Sequence, residues 1–158
     1  MTRAGLVSVL VCGERLRGDD GAAVLAAGLL TDDVAALASI TEIGQLSVEA
    51  LLATPSDAAV IVVDSAVGVR PGRVVELPLS ALAAEAGMGA EPASTHTMPA
   101  REVLALAAEL RGTPPRGTFV GIGAAAFGFG EELSPAVAAG IPAFAAAIES
   151  EIRRLATG

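Results

Sequence analysis

The chain has 158 residues, the length of one ordinary domain, with 53% hydrophobic residues and a mean hydropathy of +0.62. Its formal net charge is −8 and its ten basic residues are scattered, which excludes nucleic acid and anionic lipid as partners. The longest charge-free stretches, residues 117–130 and 133–148, contain Gly or Pro and are shorter than the roughly 20 apolar residues a bilayer requires, so we expect core segments rather than membrane spans.

The cellular compartment is inferred from cysteine content and from the N-terminal sequence. A single cysteine cannot form an internal disulfide, and the first residues show no charged segment followed by an apolar segment and a cleavage site. We therefore expect a cytoplasmic protein.

The first half of the chain alternates between predicted strands and helices. Residues 5–12 form an apolar, β-branched run, typical of a strand buried on both faces. Asp19 is placed to N-cap a helix that runs to about Leu30. A second strand is predicted at residues 38–43, and Ser47 is predicted to cap a short helix to about Ala53.

The next strands follow the same logic. Residues 58–63 form another wholly apolar run that stops at Asp64, and they predict the third strand. Residues 73–77 predict a fourth strand, entered through a Pro-Gly turn, at a sheet edge because its charges are unsuited to full burial.

The second half adds one strand and three helices. Residues 80–91 are Ala-rich and predict a helix with a loose, mobile end, and a further helix opens at Thr97 and Pro99 and stops before Gly112. Residues 118–125 predict the last strand. Ser134 and Pro135 begin a final helix to about Ala156, with a kink expected at Pro142.

These elements predict one domain over residues 1–158, of the α/β class. The expected architecture is a three-layer sandwich with a mostly parallel central sheet of about five strands and helices on both faces. In such sheets the ligand crevice lies beyond the carboxyl ends of the strands.

Few polar side chains are expected at that crevice. Glu14, Asp19 and Asp20 follow the first strand, Asp64 follows the third, and His96, the only histidine, precedes a helix. Carboxylates and an imidazole suit a divalent transition metal such as nickel or zinc.

Each of these residues also has a structural explanation. An aspartate in the first turn of a helix stabilises the helix dipole, and neighbouring residues do not share a helix face, so at most one of Asp19 and Asp20 is expected to point into the crevice. Asp64 fits a turn after a strand, and His96 fits a surface or capping histidine.

Four motifs taken together resemble the hydrogenase maturation endopeptidase family. Residues 13–21, with sequence GERLRGDDG, resemble its glycine-asparagine loop and acidic pair, and residues 61–66, IVVDSA, resemble its strand ending in aspartate. Residues 94–96, STH, resemble its histidine motif, and residues 133–137, LSPAV, resemble the entry to its C-terminal helix. The resemblance covers essentially the whole chain, with Glu14 standing where the family usually has asparagine.

The resemblance implies a function. Members of this family remove a C-terminal extension from the large-subunit precursor of nickel-iron hydrogenase after nickel insertion, and the nickel arrives with the substrate. Carried over, the metal-binding positions are Asp20, Asp64 and His96, with Asp19 as the cap. The metal is then expected to polarise the scissile carbonyl or to activate a water, with Glu14 or Asp19 as the nearest carboxylate base. We expect a monomer.

Other functions are weighed against this one. Cys12 and His96 are the residue types of a cysteine protease, but Cys12 closes a buried strand. Ser65 and Ser94 lack the G-x-S-x-G elbow of a serine enzyme, and the glycine loop fits no phosphate-binding pattern. A non-catalytic nickel-binding maturation chaperone that uses the same three ligands remains open.

Overall fold

The computed structural model describes residues 7–86, 100–130 and 132–158. Its central sheet has five strands in the order β2-β1-β3-β5-β4. The strands β2, β1, β3 and β5 run parallel to one another, whereas β4 pairs antiparallel with β5 at one edge of the sheet. The strands are β1 (Val7–Cys12), β2 (Ser39–Gly44), β3 (Ala59–Ala66), β4 (Val74–Pro78) and β5 (Gly117–Gly123).

Helices cover both faces of the sheet, which confirms the predicted three-layer α/β class. They are α1 (Ala22–Ala27), α2 (Asp32–Ala35), α3 (Val48–Ala53), α4 (Leu79–Ala84), α5 (Ala100–Arg111) and α6 (Pro135–Thr157), with a 3-10 turn at Gly18–Gly21. The helices α1 and α6 pack on one face, and α3, α4 and α5 pack on the other.

The alternation of side chains along the buried strands builds the two core layers. In β1, Val9 and Val11 face α1 and α6, whereas Leu10 and Cys12 face the opposite helices. The other buried strands alternate in the same way, so their continuous apolar sequences are explained by burial on both faces.

The longest helix, α6, is by length and composition able to cross a membrane, and it is the one such helix in the described part of the chain. Its buried face includes Phe144, Ile148 and Ile152, each fully shielded from solvent and packed in the core of the α1 side. These contacts identify α6 as a core helix.

Several boundaries differ from the predictions. The strand β3 continues two residues beyond Asp64 because its pairing with β5 extends to Ala66 and Gly123. The predicted long helix after β1 is instead the 3-10 turn followed by the short α1, and the short α2 was missed. The predicted segments at residues 87–91 and 97–99 lie outside the described residues.

The connections place the ends of several elements at one edge of the sheet. The parallel strands β1, β3 and β5 all finish there, and we call it the carboxyl edge. Helix α5 begins at that edge, because its last residue, Arg111, bonds the carbonyl of Thr54 just before β3 begins.

Candidate active site

Asp20 is held at the carboxyl edge by the glycine loop that follows β1. Its Oδ2 accepts a hydrogen bond from the backbone N–H of Glu14 at 2.9 Å. Gly13 has a φ of 120°, and a Cβ there would lie 1.9 Å from the carbonyl oxygen of Asp20. Only glycine fits this close approach, so the residue before Glu14 fixes the position of the acid.

Asp64 lies two residues before the end of β3, on the same face of the sheet as Cys12. Its Oδ1 accepts a hydrogen bond from the N–H of Ser65 at 2.8 Å. Burial, together with the negative charge of Asp20, raises the pKa of Asp64 to about 7, and the Ser65 hydrogen bond only partly opposes this. The two carboxylates, one within β3 and the other in the 3-10 turn after β1, therefore share one electrostatic environment.

The thiol of Cys12, at the end of β1, is buried close to these two acids. It is 1% exposed, and burial, followed by the charges of Asp64 and Asp20, raises the pKa of the thiol well above its ordinary value. A thiol held neutral in this way is a poor nucleophile, which argues against the cysteine-protease hypothesis.

Glu14 is exposed at the rim of the crevice. Its Oε1 lies 3.4 Å from the position that a Cβ would take on Gly44, the last residue of β2. The backbone is anchored beside it by the bond from the Gly13 N–H to the Gly44 carbonyl at 2.6 Å. The Glu14 carboxylate is therefore near Asp20 along the chain and open to solvent.

Asp19 does not cap a helix, so the predicted role is wrong. The side chain makes no capping bond and is 0% exposed. Its Oδ2 accepts from the N–H groups of Ala125 and Ala126 and from the Ser134 hydroxyl, each at 2.8 Å, and its Oδ1 accepts from the Ser134 N–H at 2.7 Å.

These bonds also decide the protonation of Asp19. Burial alone would raise its pKa, but the hydrogen bonds from Ser134, Ala125 and Ala126 outweigh burial and lower it. Both oxygens are engaged and the carboxylate stays ionised, which makes Asp19 a brace between two loops. It is therefore unsuited to the role of carboxylate base.

His96, the third predicted ligand, lies outside the described residues, as does Ser94. Within residues 7–86, 100–130 and 132–158, no group of three or more His, Cys, Asp or Glu side chains is arranged to hold a metal ion. The described residues bring Asp20 and Asp64 together, and a site with three ligands requires His96 in addition.

Sequence reasoning missed Ser134 as a partner of the acidic pair. Its position before Pro135 suggested a helix cap, but its side chain makes no capping bond and donates to Asp19 instead. The available signal was a hydroxyl residue directly before the last helix. Local spacing predicts that such a residue caps the helix, and it does not reveal a hydrogen bond to a carboxylate far away in the sequence.

A separate cavity of about 280 Å³ lies at the opposite edge of the sheet. It is lined by residues such as Asp57, Val60, Arg111 and Arg116. None of the predicted site residues reaches it, so the candidate chemistry is confined to the carboxyl edge.

A family model described as hydrogenase maturation protease matches residues 36–151. Comparison with curated proteins finds no match.

Several solved structures share the fold. The NiFe hydrogenase maturation protease HybD from Thermococcus kodakarensis is 24% identical, with 91% of this chain and 97% of that chain covered and a TM-score of 0.68. The hydrogenase maturating endopeptidase HybD from E. coli is 22% identical, with coverages of 94% and 92% and a TM-score of 0.73. The hydrogenase maturation protease HycI from Thermococcus kodakarensis KOD1 is 23% identical, with coverages of 96% and 94% and a TM-score of 0.64.

Proposed function

Because the chain belongs to the hydrogenase maturation protease family, we propose that it is the endopeptidase that removes the C-terminal extension of a nickel-iron hydrogenase large-subunit precursor after nickel insertion. The observation that carries this proposal is the pairing of Asp20 and Asp64 at the carboxyl edge, where burial, together with the charge of Asp20, raises the pKa of Asp64 to about 7. Two carboxylates that repel each other in a half-buried crevice form a site that a cation stabilises.

Nickel is proposed to reach this site as part of the substrate, with Asp20, Asp64 and His96 as its protein ligands. Helix α5 begins at the carboxyl edge, on the face of the sheet that Asp64 shares, and His96 precedes Ala100 by four residues. A segment of that length spans at most about 14 Å, so the start of α5 supports the assignment of the imidazole as third ligand.

The proposed chemistry is hydrolysis assisted by the substrate's nickel. A cation with open positions polarises the scissile carbonyl or lowers the pKa of a bound water. Glu14 is the carboxylate proposed as general base, since it is exposed at the rim, whereas both oxygens of Asp19 accept hydrogen bonds inside the protein.

The decisive test is incubation of the protein with purified, nickel-loaded large-subunit precursor, followed by intact-mass spectrometry. We expect the precursor to lose one C-terminal fragment. In Asp20→Asn, Asp64→Asn and His96→Ala the rate should fall by more than the roughly 10–100-fold caused by losing a group that merely orients a metal ligand. Asp57→Asn, an exposed aspartate at the far edge of the sheet, is the matched control and should cleave at the parental rate.

Two outcomes change the assignment. A precursor whose mass stays constant while the protein still binds it would indicate the non-catalytic nickel-binding chaperone. Normal turnover by the Glu14→Gln variant would refute the assignment of Glu14 as general base. The attacking water would then be activated by the nickel alone.

The proposal also covers the cellular compartment and the oligomeric state of the protein. We place it in the cytoplasm, with the protein acting as a monomer, and the single buried cysteine is compatible with a reducing compartment. Cell fractionation and sedimentation of the purified protein would test the two statements separately.

A further inference from the structure

Exposed large apolar side chains lie on the loops that leave the carboxyl ends of the parallel strands. Leu16 is 55% exposed, Val67 82%, Phe127 37% and Phe129 99%. Leu16 follows β1, Val67 follows β3, and Phe127 and Phe129 both follow β5, so all four are carried by the loops of the carboxyl edge. We call these four residues the apolar rim. Clustered exposed apolar groups of this kind mark interaction surfaces.

Backbone hydrogen bonds join the three loops of the apolar rim. The Gly130 N–H donates to the carbonyl of Leu16 at 2.8 Å, and the Gly18 N–H donates back to the carbonyl of Gly130 at 2.8 Å. The third loop is attached by the bond from the Ala124 N–H to the Ala66 carbonyl at 3.1 Å. The three loops that carry the apolar rim are therefore braced against one another through their backbones.

Asp19 connects this surface to the acidic crevice. Its four hydrogen bonds hold residues 125, 126 and 134, the two ends of the loop that bears both phenylalanines, and its neighbour in the chain is Asp20. A surface held in place before binding loses little conformational entropy when a partner docks. The apolar rim is thus preorganised at a fixed offset from the proposed nickel ligands.

We propose that the apolar rim is the docking surface for an apolar segment of the hydrogenase large-subunit precursor, a role separate from the recognition of nickel. The inference rests on the proposed function, because it takes the precursor as the molecule that enters the crevice. It adds that binding is divided between two adjacent places, the acids for the cation and the apolar rim for the polypeptide beside the scissile bond.

Continuity and charge favour this occupant over a second copy of the chain. The precursor must bring its scissile bond to Asp20 and Asp64, and the apolar rim lies on loops at the same edge of the sheet. Neither acid forms an ion pair with the residues that the structure describes. A partner that presents a cation is attracted to them, whereas a second copy docked face to face presents the same two acids.

The test is the binding of nickel-loaded precursor, immobilised through its N-terminus, to the parental protein and to rim variants by biolayer interferometry. Phe129→Ser should raise Kd about tenfold, the change typical of truncating an aromatic contact residue. Because Phe129 is 99% exposed, its removal should leave the thermal unfolding midpoint unchanged. The matched control is Leu110→Ser, 62% exposed near the end of α5 at the opposite edge, which should retain the parental Kd.

The outcomes separate this inference from the proposed function. If the parental protein cleaves the precursor and the Leu16→Ser, Phe129→Ser double variant binds it with parental Kd, docking at the apolar rim is refuted and the endopeptidase stands. If the precursor binds without cleavage and Phe129→Ser weakens binding, docking stands and the endopeptidase fails. Failure of the parental protein to bind, or weakening of self-association alone in sedimentation, overturns the inference.

Discussion

Asp64→Asn should make the metal-free protein more stable at alkaline pH. Asn keeps an oxygen to accept the Ser65 N–H bond but carries no charge to bury beside Asp20. The pKa of Asp64 is raised from 3.8 to about 7, so the folded protein holds that proton more tightly than the unfolded chain. The ionised side chain therefore opposes folding once pH exceeds 3.8, and the full cost is reached above pH 7.

The magnitude follows from the two pKa values. Each tenfold change in an acid dissociation constant is worth about 1.4 kcal/mol, so ionised Asp64 costs the fold on the order of 4 kcal/mol at pH 8. The same calculation leaves less than about 1 kcal/mol at pH 4, where the proton is bound in the folded state and partly bound in the unfolded one. The gain from Asp64→Asn should grow across this range.

Urea denaturation at pH 4, 6 and 8, with a chelator present, measures the effect. Asp57→Asn, an exposed aspartate at the far edge of the sheet, serves as the control and should shift the free energy of unfolding by less than about 0.5 kcal/mol at each pH. A variant that is no more stable than the parent at pH 8, or whose advantage is the same at pH 4, would refute the claim that Asp64 is strained by burial and by its acidic neighbour.

Two further variants test the loops around the crevice. Asp19→Asn should destabilise the protein by about 2–4 kcal/mol at neutral pH, because the amide NH2 group would face the N–H and O–H donors that now bond the carboxylate. Limited proteolysis should therefore cut residues 124–130 sooner in this variant. Since the pKa of Asp19 is lowered on folding, the stability it provides is present above pH 3.8 and is lost as pH falls through the folded value, so the defect should shrink in acid. Gly13→Ala should lower the melting temperature and abolish cleavage by displacing Asp20, whereas Gly28→Ala, with its nearest neighbour at 3.4 Å, should be close to parental; equal behaviour of the two would contradict the steric argument.

The fold was largely predictable because its inner strands are buried on both faces. Continuous apolar runs identified β1, β3 and β5, and charge correctly placed β4 at an edge. The end of β3 was not predictable in the same way. A charged residue such as Asp64 suggests the end of a strand, but the strand continues as long as a neighbour pairs with it, and β5 pairs as far as Ala66.

The site was predictable to the level of which residues share an edge, and not to the level of what each one contacts. The two acids emerge together because parallel strands end together, which the sequence pattern contains. The role of Asp19 is set by Ser134 and Ala125, which are 115 and 106 positions away, and no local spacing reveals such partners. The same bonds take Ala124 and Ala125 out of the predicted last strand, since the Ala125 N–H is committed to Asp19.

The brace formed by Asp19 bears on how related enzymes could be recombined. Residues 14–20 are joined by backbone pairing and by one carboxylate to residues 124–130 and to Ser134, so in a chimaera these parts should behave as a single module despite their separation in the chain. Grafting the second segment alone from a homologue should leave Asp19 opposite a foreign backbone and disturb the adjacent Asp20, the proposed metal ligand. Swapping both segments together should keep these hydrogen bonds and leave Asp20 in place.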